Sequence, residues 1–289
     1  MSLSRLQLRR LVGQDTAGLR YVLGTVSGTP DPTFTTFTLP ELTDTGADAG
    51  TMAGHWVYHV DSGEERRITK YRPDTGEVVL NRGLTDAPTA GDDIEVHRFR
   101  PSLIHRAIND GLQKCVQIAL FRTALTENQR AIDLSAQTHI TQATDVIAVY
   151  IGPDDDDATD ALPPREVTFA RRYSNGLLYL DPMPVLAADE MLWVESYAPF
   201  AALAADTDTT DCPELWIRAA ARAALYNLLI AQSGAGKEMA RYQAERTQAQ
   251  REQRHYARVY GARQPRKIAH GTPVRWSVPY LSSRSHRGI

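Results

Sequence analysis

Leu3, Leu6, Leu8 and Leu11 cluster at helical spacing and predict a short N-terminal helix, within residues 1–20, that Gly13 ends. A stretch rich in Thr, Pro and Gly follows from Gly24 to Gly54, with one expected strand in Phe34–Leu39. Apolar and polar residues then alternate in His55–Val60, Arg67–Tyr71, Val78–Leu80 and Ile94–Phe99. Turn residues separate these runs: Asp61-Ser-Gly63, Pro73-Asp-Thr-Gly76 and Ala90-Gly-Asp92. Short strands at this spacing predict a small antiparallel barrel or sandwich over residues 21–100.

The period changes at Pro101. Ile104, Ile108, Leu112, Cys115, Ile118 and Ala119 recur at steps of three and four, which predicts a helix within 101–128 that runs to about Leu125. Pro costs little in a first helical turn, because its missing N–H would be unpaired there. Residues 129–199 return to strand pattern, in Ile132–Leu134, Val146–Ile151, Val167–Arg171, Leu177–Leu180 and Met191–Tyr197. The acidic loop Pro153–Pro164 lies between two of these strands. The two β blocks share a grammar. The hairpin 67–80 compares with 166–180, and Asp92-Asp-Ile-Glu-Val96 compares with Asp189-Glu-Met-Leu-Trp-Val194. Sequence alone leaves open whether they are true repeats.

Residues 200–260 read as helices. Asp211 is the expected N-cap of the first, with Pro213 and Glu214 in its opening turn. Its broad apolar face carries Trp216, Ile217, Ala220, Ala224, Leu225, Leu228 and Leu229, and Trp216 is expected in the core. Ser233–Gly236 is a hairpin turn or a kink. From Ala235 to Tyr260, Met239, Tyr242, Ala249, Tyr256 and Tyr260 share one side, and Arg241, Gln248, Arg251, Arg254 and Arg258 share the other. Regular period is lost in 261–289, yet Val274, Trp276, Val278 and Tyr280 alternate there. A lone strand cannot offset its own ordering entropy, so this arm is expected to fold back on its own sheet or, as favoured here, to dock on another chain. The expected fold class is α+β: a helical scaffold with two small antiparallel β modules and an extended C-terminal arm.

The 289 residues carry a formal charge of −3, unevenly placed. From Gly234 onward there are twelve Lys or Arg and three acids, so that end is +9 and the rest is −12. Such asymmetry marks a specific partner surface. No apolar run is long enough to span a membrane, and MSLSRLQLRRLVGQD lacks the features of a secretion signal. Chemical signatures are weak throughout. Ser233-Gly-Ala-Gly-Lys237 lacks the spacing of a phosphate loop and has Glu238 where a hydroxyl is needed. His55 and His59 stand four apart in a strand pattern and read as satisfied or exposed histidines. Asp154–Asp157 read as a solvated loop, without the Gly and late Glu of a calcium loop. Cys115 and Cys212 fit no metal or redox spacing and read as thiols in a reducing compartment. No catalytic, cofactor-binding or metal-binding residue is expected.

Five stretches together resemble the head–tail adaptor (connector or neck) proteins of tailed bacteriophages. They are Arg66-Arg-Ile-Thr-Lys-Tyr71, Gly76-Glu-Val-Val-Leu80, Pro88–Val96, Pro101–Leu112 and Cys212–Tyr226 with the Tyr- and Arg-bearing helix after it. The resemblance implies a structural virion protein: a homo-oligomeric ring, usually of twelve copies, beneath the portal protein. The ring would extend the channel through which packaged DNA passes and give tail or neck proteins a platform. It implies the head–tail junction as location, assembly in the host cytoplasm and no membrane. In that family a C-terminal arm reaches into the portal or a neighbouring subunit. On this reading Trp276, Val278, Tyr280 and Leu281 anchor the arm, and Arg263, Arg266, Lys267 and Arg275 orient it. Arg251, Arg254 and Arg258 are candidates for contact with DNA or a neighbour. Two alternatives remain: a DNA-binding protein using the basic C-terminal region, and a hydrolytic enzyme using Asp154–Asp157.

Overall fold

The computed structural model of the chain describes residues 2–17, 21–45, 52–124, 131–141, 145–153, 165–166, 170–181, 190–233 and 236–261. The chain is α+β, with helices and antiparallel sheets in two compact units. The first unit joins Met1–Cys115 to Phe200–Tyr260, and the second is inserted between them, beginning at Val116 and returning at Pro199. The two junction ends of the first unit are tied together. Phe200 N–H donates to Cys115 O at 3.3 Å, and Gln113 Nε2 donates to Phe200 O at 3.4 Å.

Among the described residues, four α-helices build the first unit's scaffold: α1 (Arg5–Ala17), α2 (Pro101–Leu112), α3 (Glu214–Gln232) and α4 (Lys237–Tyr256). Their core holds Leu8, Val12, Ile104, Ile108, Trp216, Ile217 and Leu225, all buried, as expected for Trp216. Small residues let α2 and α3 approach closely. A Cβ placed on Gly111 would stand 2.9 Å from Ala221 N and 3.1 Å from Ala220 C.

The first unit also carries a six-stranded sheet. Its strands are β1 (Val22–Thr25), β2 (Thr36–Thr38), β3 (Trp56–His59), β4 (Glu65–Arg72), β5 (Glu77–Leu80) and β6 (Asp93–His97). The order is β1-β6-β3-β4-β5-β2, with every pair antiparallel. A bridge between Ser27 and Thr38 links the two ends, so the sheet curls around Val57, Ile68, Val78, Ile94 and Val96.

The second unit has β7 (Val116–Thr123), β8 (Ile132–Asp133), β9 (Val146–Pro153), β10 (Arg165–Glu166), β11 (Ala170–Ser174), β12 (Leu177–Asp181) and β13 (Glu190–Pro199). They form two ladders, β10-β9-β13-β7 and β11-β12-β8. Laid end to end, these repeat the first module's order. In both, the first strand pairs with the last, the last with the third, and the third with the fourth. The fourth element then makes a hairpin with the fifth, which pairs back to the second. The second fourth element is split into β10 and β11. Val149 faces Val194 as Val57 faces Val96, and Tyr150 faces Trp193 as Tyr58 faces Glu95. The turn Asn175-Gly176 has φ of 53° and 80°, the left-handed pair that a two-residue hairpin requires.

Several expectations are corrected. Gly13 does not end α1, which continues to Ala17; it lets the helix lie against His97 and Tyr21, whose atoms would stand 3.0 Å from an added Cβ. Leu3 is extended and not helical, because Leu3–Ser4 pairs with Thr209–Thr210. The helix at 101–128 stops at Leu112, and Val116–Thr123 is strand although its apolar spacing continues the helical period. Eight residues there pair with β13, and that tertiary ladder outweighs local spacing. The second module therefore starts at 116 and not at 129. Asp211 does not cap α3. The N-cap is Pro213, with no side-chain cap bond, and its carbonyl accepts from the N–H groups of Trp216 and Ile217. The helix after Gly236 begins at Lys237 and gives way at Ala257–Gly261 to one π-type turn. The strand expected at Val167–Arg171 is described only as Ala170–Ser174. The acidic loop and the arm beyond Gly261 lie outside the described residues. Among the described residues, no helix is long and apolar enough to cross a membrane.

Gly111→Ala tests the α2–α3 crossing. Ala is the better helix former, yet its methyl meets backbone atoms that cannot swing aside. Urea denaturation is expected to show a loss of about 1–3 kcal/mol.

Candidate interaction surface

The first unit holds a buried polar joint. Glu95 lies in β6 between Ile94 and Val96, which face the curled sheet's interior, so its side chain points out of the sheet. There α1 covers it. Arg9 donates through Nε to Glu95 Oε2 at 2.7 Å and through Nη2 to Oε1 at 3.1 Å, and both side chains are fully buried. Arg10 Nε adds a bond to Oε1 at 2.8 Å. His97 Nε2 is 2.9 Å from Oε2 and is assigned as the donor, since the carboxylate is ionised.

Arg9 is satisfied on every side. Its Nη1 donates to Asp206 Oδ2 at 2.6 Å and to His105 Nε2 at 3.0 Å, and its guanidinium lies 4.1 Å over the Tyr58 ring. One side chain thus ties α1, β6, β3, α2 and the loop at Asp206. Burial alone would raise the Glu95 pKa, but the bonds from His97 and Arg9 and the guanidinium charge hold it well below the usual carboxylate range. Burial, then the charges of Arg9 and Arg5, push His105 down to about 4, so it stays neutral and accepts. None of these residues was singled out from sequence. The only sequence signal was a carboxylate inside a strongly apolar alternation.

α3 and α4 form a hairpin on the same unit, which settles the open choice at Ser233–Gly236. Tyr242 and Ala249 are buried, Tyr256 and Tyr260 pack on the helical core, and Tyr242 lies between Phe99 and Tyr226 with ring centroids 6.1 Å from each. Polar ties flank this seam: Arg222 Nη1 to Glu252 Oε2 at 3.0 Å, and Arg246 Nη1 to Asn227 Oδ1 at 3.3 Å. Arg218 joins α3 to α1 through Asp15, at 2.6 and 3.0 Å.

The other side of α4 is solvent-facing. Arg241, Gln248, Arg251 and Arg254 are all exposed there, and Arg258, in the π-type turn that continues the helix, is exposed too. Arg251, Arg254 and Arg258 stand at steps of three and four, so they form one stripe. Among the described residues, no acid forms an ion pair with any of the three. What this stripe offers chemically is a row of forked donors suited to phosphate or carboxylate oxygens. The other site residues expected from sequence (Arg263, Arg266, Lys267, Arg275, Trp276, Val278, Tyr280 and Leu281) lie outside the described residues.

No family model matches the chain, and no curated protein matches it.

The buried joint predicts how stability depends on pH. His105 is held near 4 when folded, while the unfolded chain takes up its proton at about 6.5. Between those values the unfolded state binds more protons, so stability falls as pH is lowered through this window. Urea midpoints measured from pH 7 to pH 4 are expected to drop, and His105→Gln, which keeps an acceptor but cannot titrate, is expected to flatten the slope.

Proposed function

We propose that this chain is a structural virion protein, a head-to-tail adaptor that forms a ring beneath a portal protein and carries packaged DNA through its channel. The observation that carries the reading is where the resembling stretches fall. Arg66–Tyr71 and Gly76–Leu80 lie in the β4–β5 hairpin, Pro88–Val96 leads into β6, Pro101–Leu112 is α2, and Cys212–Tyr226 opens α3. All belong to the first unit, into which the second module is inserted. A ring needs repeated heterologous interfaces. The solvent side of α4 and the inserted module supply surfaces for them, and the arm 261–289 supplies a docking element for the portal or a neighbouring subunit.

The test is mass by light scattering and negative-stain imaging, on the full chain and on a chain ending at Gly261, each alone and mixed with a portal protein. The expected result is rings, or portal-dependent rings, with portal binding lost on truncation. A strict monomer without portal affinity in both forms sinks the reading.

The arginine stripe favours a second reading, direct binding of duplex DNA. That reading predicts affinity falling with salt at a logarithmic slope of about −0.9 per phosphate contacted. Replacing Arg251, Arg254 and Arg258 by Ala would then reduce the slope by roughly three contacts' worth. A salt slope unchanged by the triple variant rules the stripe out as the DNA contact.

A further inference from the structure

His59 ends β3 and is 3% exposed. Its Nδ1 lies 2.8 Å from Ser62 Oγ. Its Nε2 is buried, makes no hydrogen bond, and points at Asp92 Oδ2 from 3.4 Å. That distance is long for a hydrogen bond. Asp61, two residues further along the β3–β4 turn, is exposed, and one ligand atom from each of the three residues lies within 4.8 Å of the others.

The backbone around this cluster is pinned on several sides. Gly63 N–H donates to His59 O and His59 N–H to Glu64 O, both at 2.9 Å, and Val60 N–H donates to Asp93 O at 3.2 Å. Asp92 is aimed by Thr89, whose N–H meets Oδ2 at 2.6 Å and whose hydroxyl meets Oδ1 at 2.8 Å. Each Asp92 oxygen keeps a lone pair after these bonds.

We propose that His59, Asp61 and Asp92 form a binding site for a divalent transition-metal ion of the zinc class. One imidazole and two carboxylates make a nitrogen–oxygen donor set, which suits zinc; magnesium and calcium prefer oxygen alone. Bonds of about 2.0–2.1 Å set tetrahedral ligands roughly 3.3 Å apart. His59 Nε2 and Asp92 Oδ2 already stand 3.4 Å apart, and Asp61, on the open turn, is the ligand that moves in. With a metal bound, the Nδ1–Ser62 Oγ contact at 2.8 Å would carry the proton on Nδ1 and leave the Nε2 lone pair to the ion, the outer-shell arrangement of a metal-bound histidine. Water fills the fourth position. The bound ion fastens the β3–β4 turn to the loop before β6, which neighbours Glu95.

The test uses the full chain, freed of metal by chelator and exchanged into non-coordinating buffer. Zinc chloride is titrated by calorimetry, and thermal unfolding is followed with and without it. The expected result is about one equivalent bound at this site with a raised Tm. Cobalt(II) is expected to give the visible bands of four-coordinate geometry. Asp61→Asn alters an exposed side chain, so its fold is checked by its metal-free Tm. Its zinc affinity is expected to fall by about 10–100-fold, as is that of Asp92→Asn. His255→Ala, on exposed α4, is expected to bind as the parent does. Absence of zinc binding overturns the proposal and leaves an ordinary His59–Asp92 ion pair. So does equal affinity in both Asp variants, or binding of calcium or magnesium in place of zinc.

Discussion

The Arg9–Glu95 pair is the constraint on which the first unit's arrangement depends. Two fully buried charges meet through two hydrogen bonds. Removing one partner of such a pair strands a charge and costs about 3–5 kcal/mol, whereas replacing both by apolar groups is often neutral. Its value is therefore specification more than stability. A one-residue slip of β6 would turn Glu95 toward Ile94's place among the apolar interior and expose Ile94 and Val96 to the charged face of α1. No guanidinium would wait for Glu95 there. Because Arg9 also holds Asp206 and His105, the same requirement fixes α2 and the segment that returns from the inserted module.

An insertion is tolerable only where its two ends already meet. Cys115 and Phe200 are hydrogen-bonded neighbours, so the second module can leave and return without breaking the helical core. That module reuses the strand order of the first, and this was half visible in the sequence. The hairpins at 67–80 and 166–180 share their spacing because the same pairing demands the same alternation and a glycine turn. What failed was local. Val22–Thr25 carries Gly24 and is too short to show a period, and its pairing with β6 makes it a strand. Val116–Thr123 reads as helix for as long as its eight partners on β13 are unseen.

Site legibility divides along the same line. The α4 stripe was legible because a helix repeats over a few residues, so exposure follows from spacing. Glu95 was not, since its environment is set by Arg9, 86 positions away. His59 and Asp92 belong to different turns and meet only because β3 and β6 are paired. From sequence, His59 was paired with His55, four residues off, while Asp92 was read only as part of a turn and of a repeated acidic pair.

The arginines of the α3–α4 hairpin serve two different ends. Arg218, Arg222 and Arg246 are each spent on a partner within the unit: Asp15 and Glu214, Glu252, and Asn227. Arg251, Arg254 and Arg258 are not. Like charges at helical spacing repel by about 0.2–0.5 kcal/mol per pair. Part of this repulsion is offset in place, because Arg254 occupies the last turn of α4, where the helix dipole favours a cation by about 0.3–1 kcal/mol. The π-type turn at Ala257–Gly261 carries Arg258 in continuation of that end. Among the described residues, no ion pair that holds the fold draws on these three arginines.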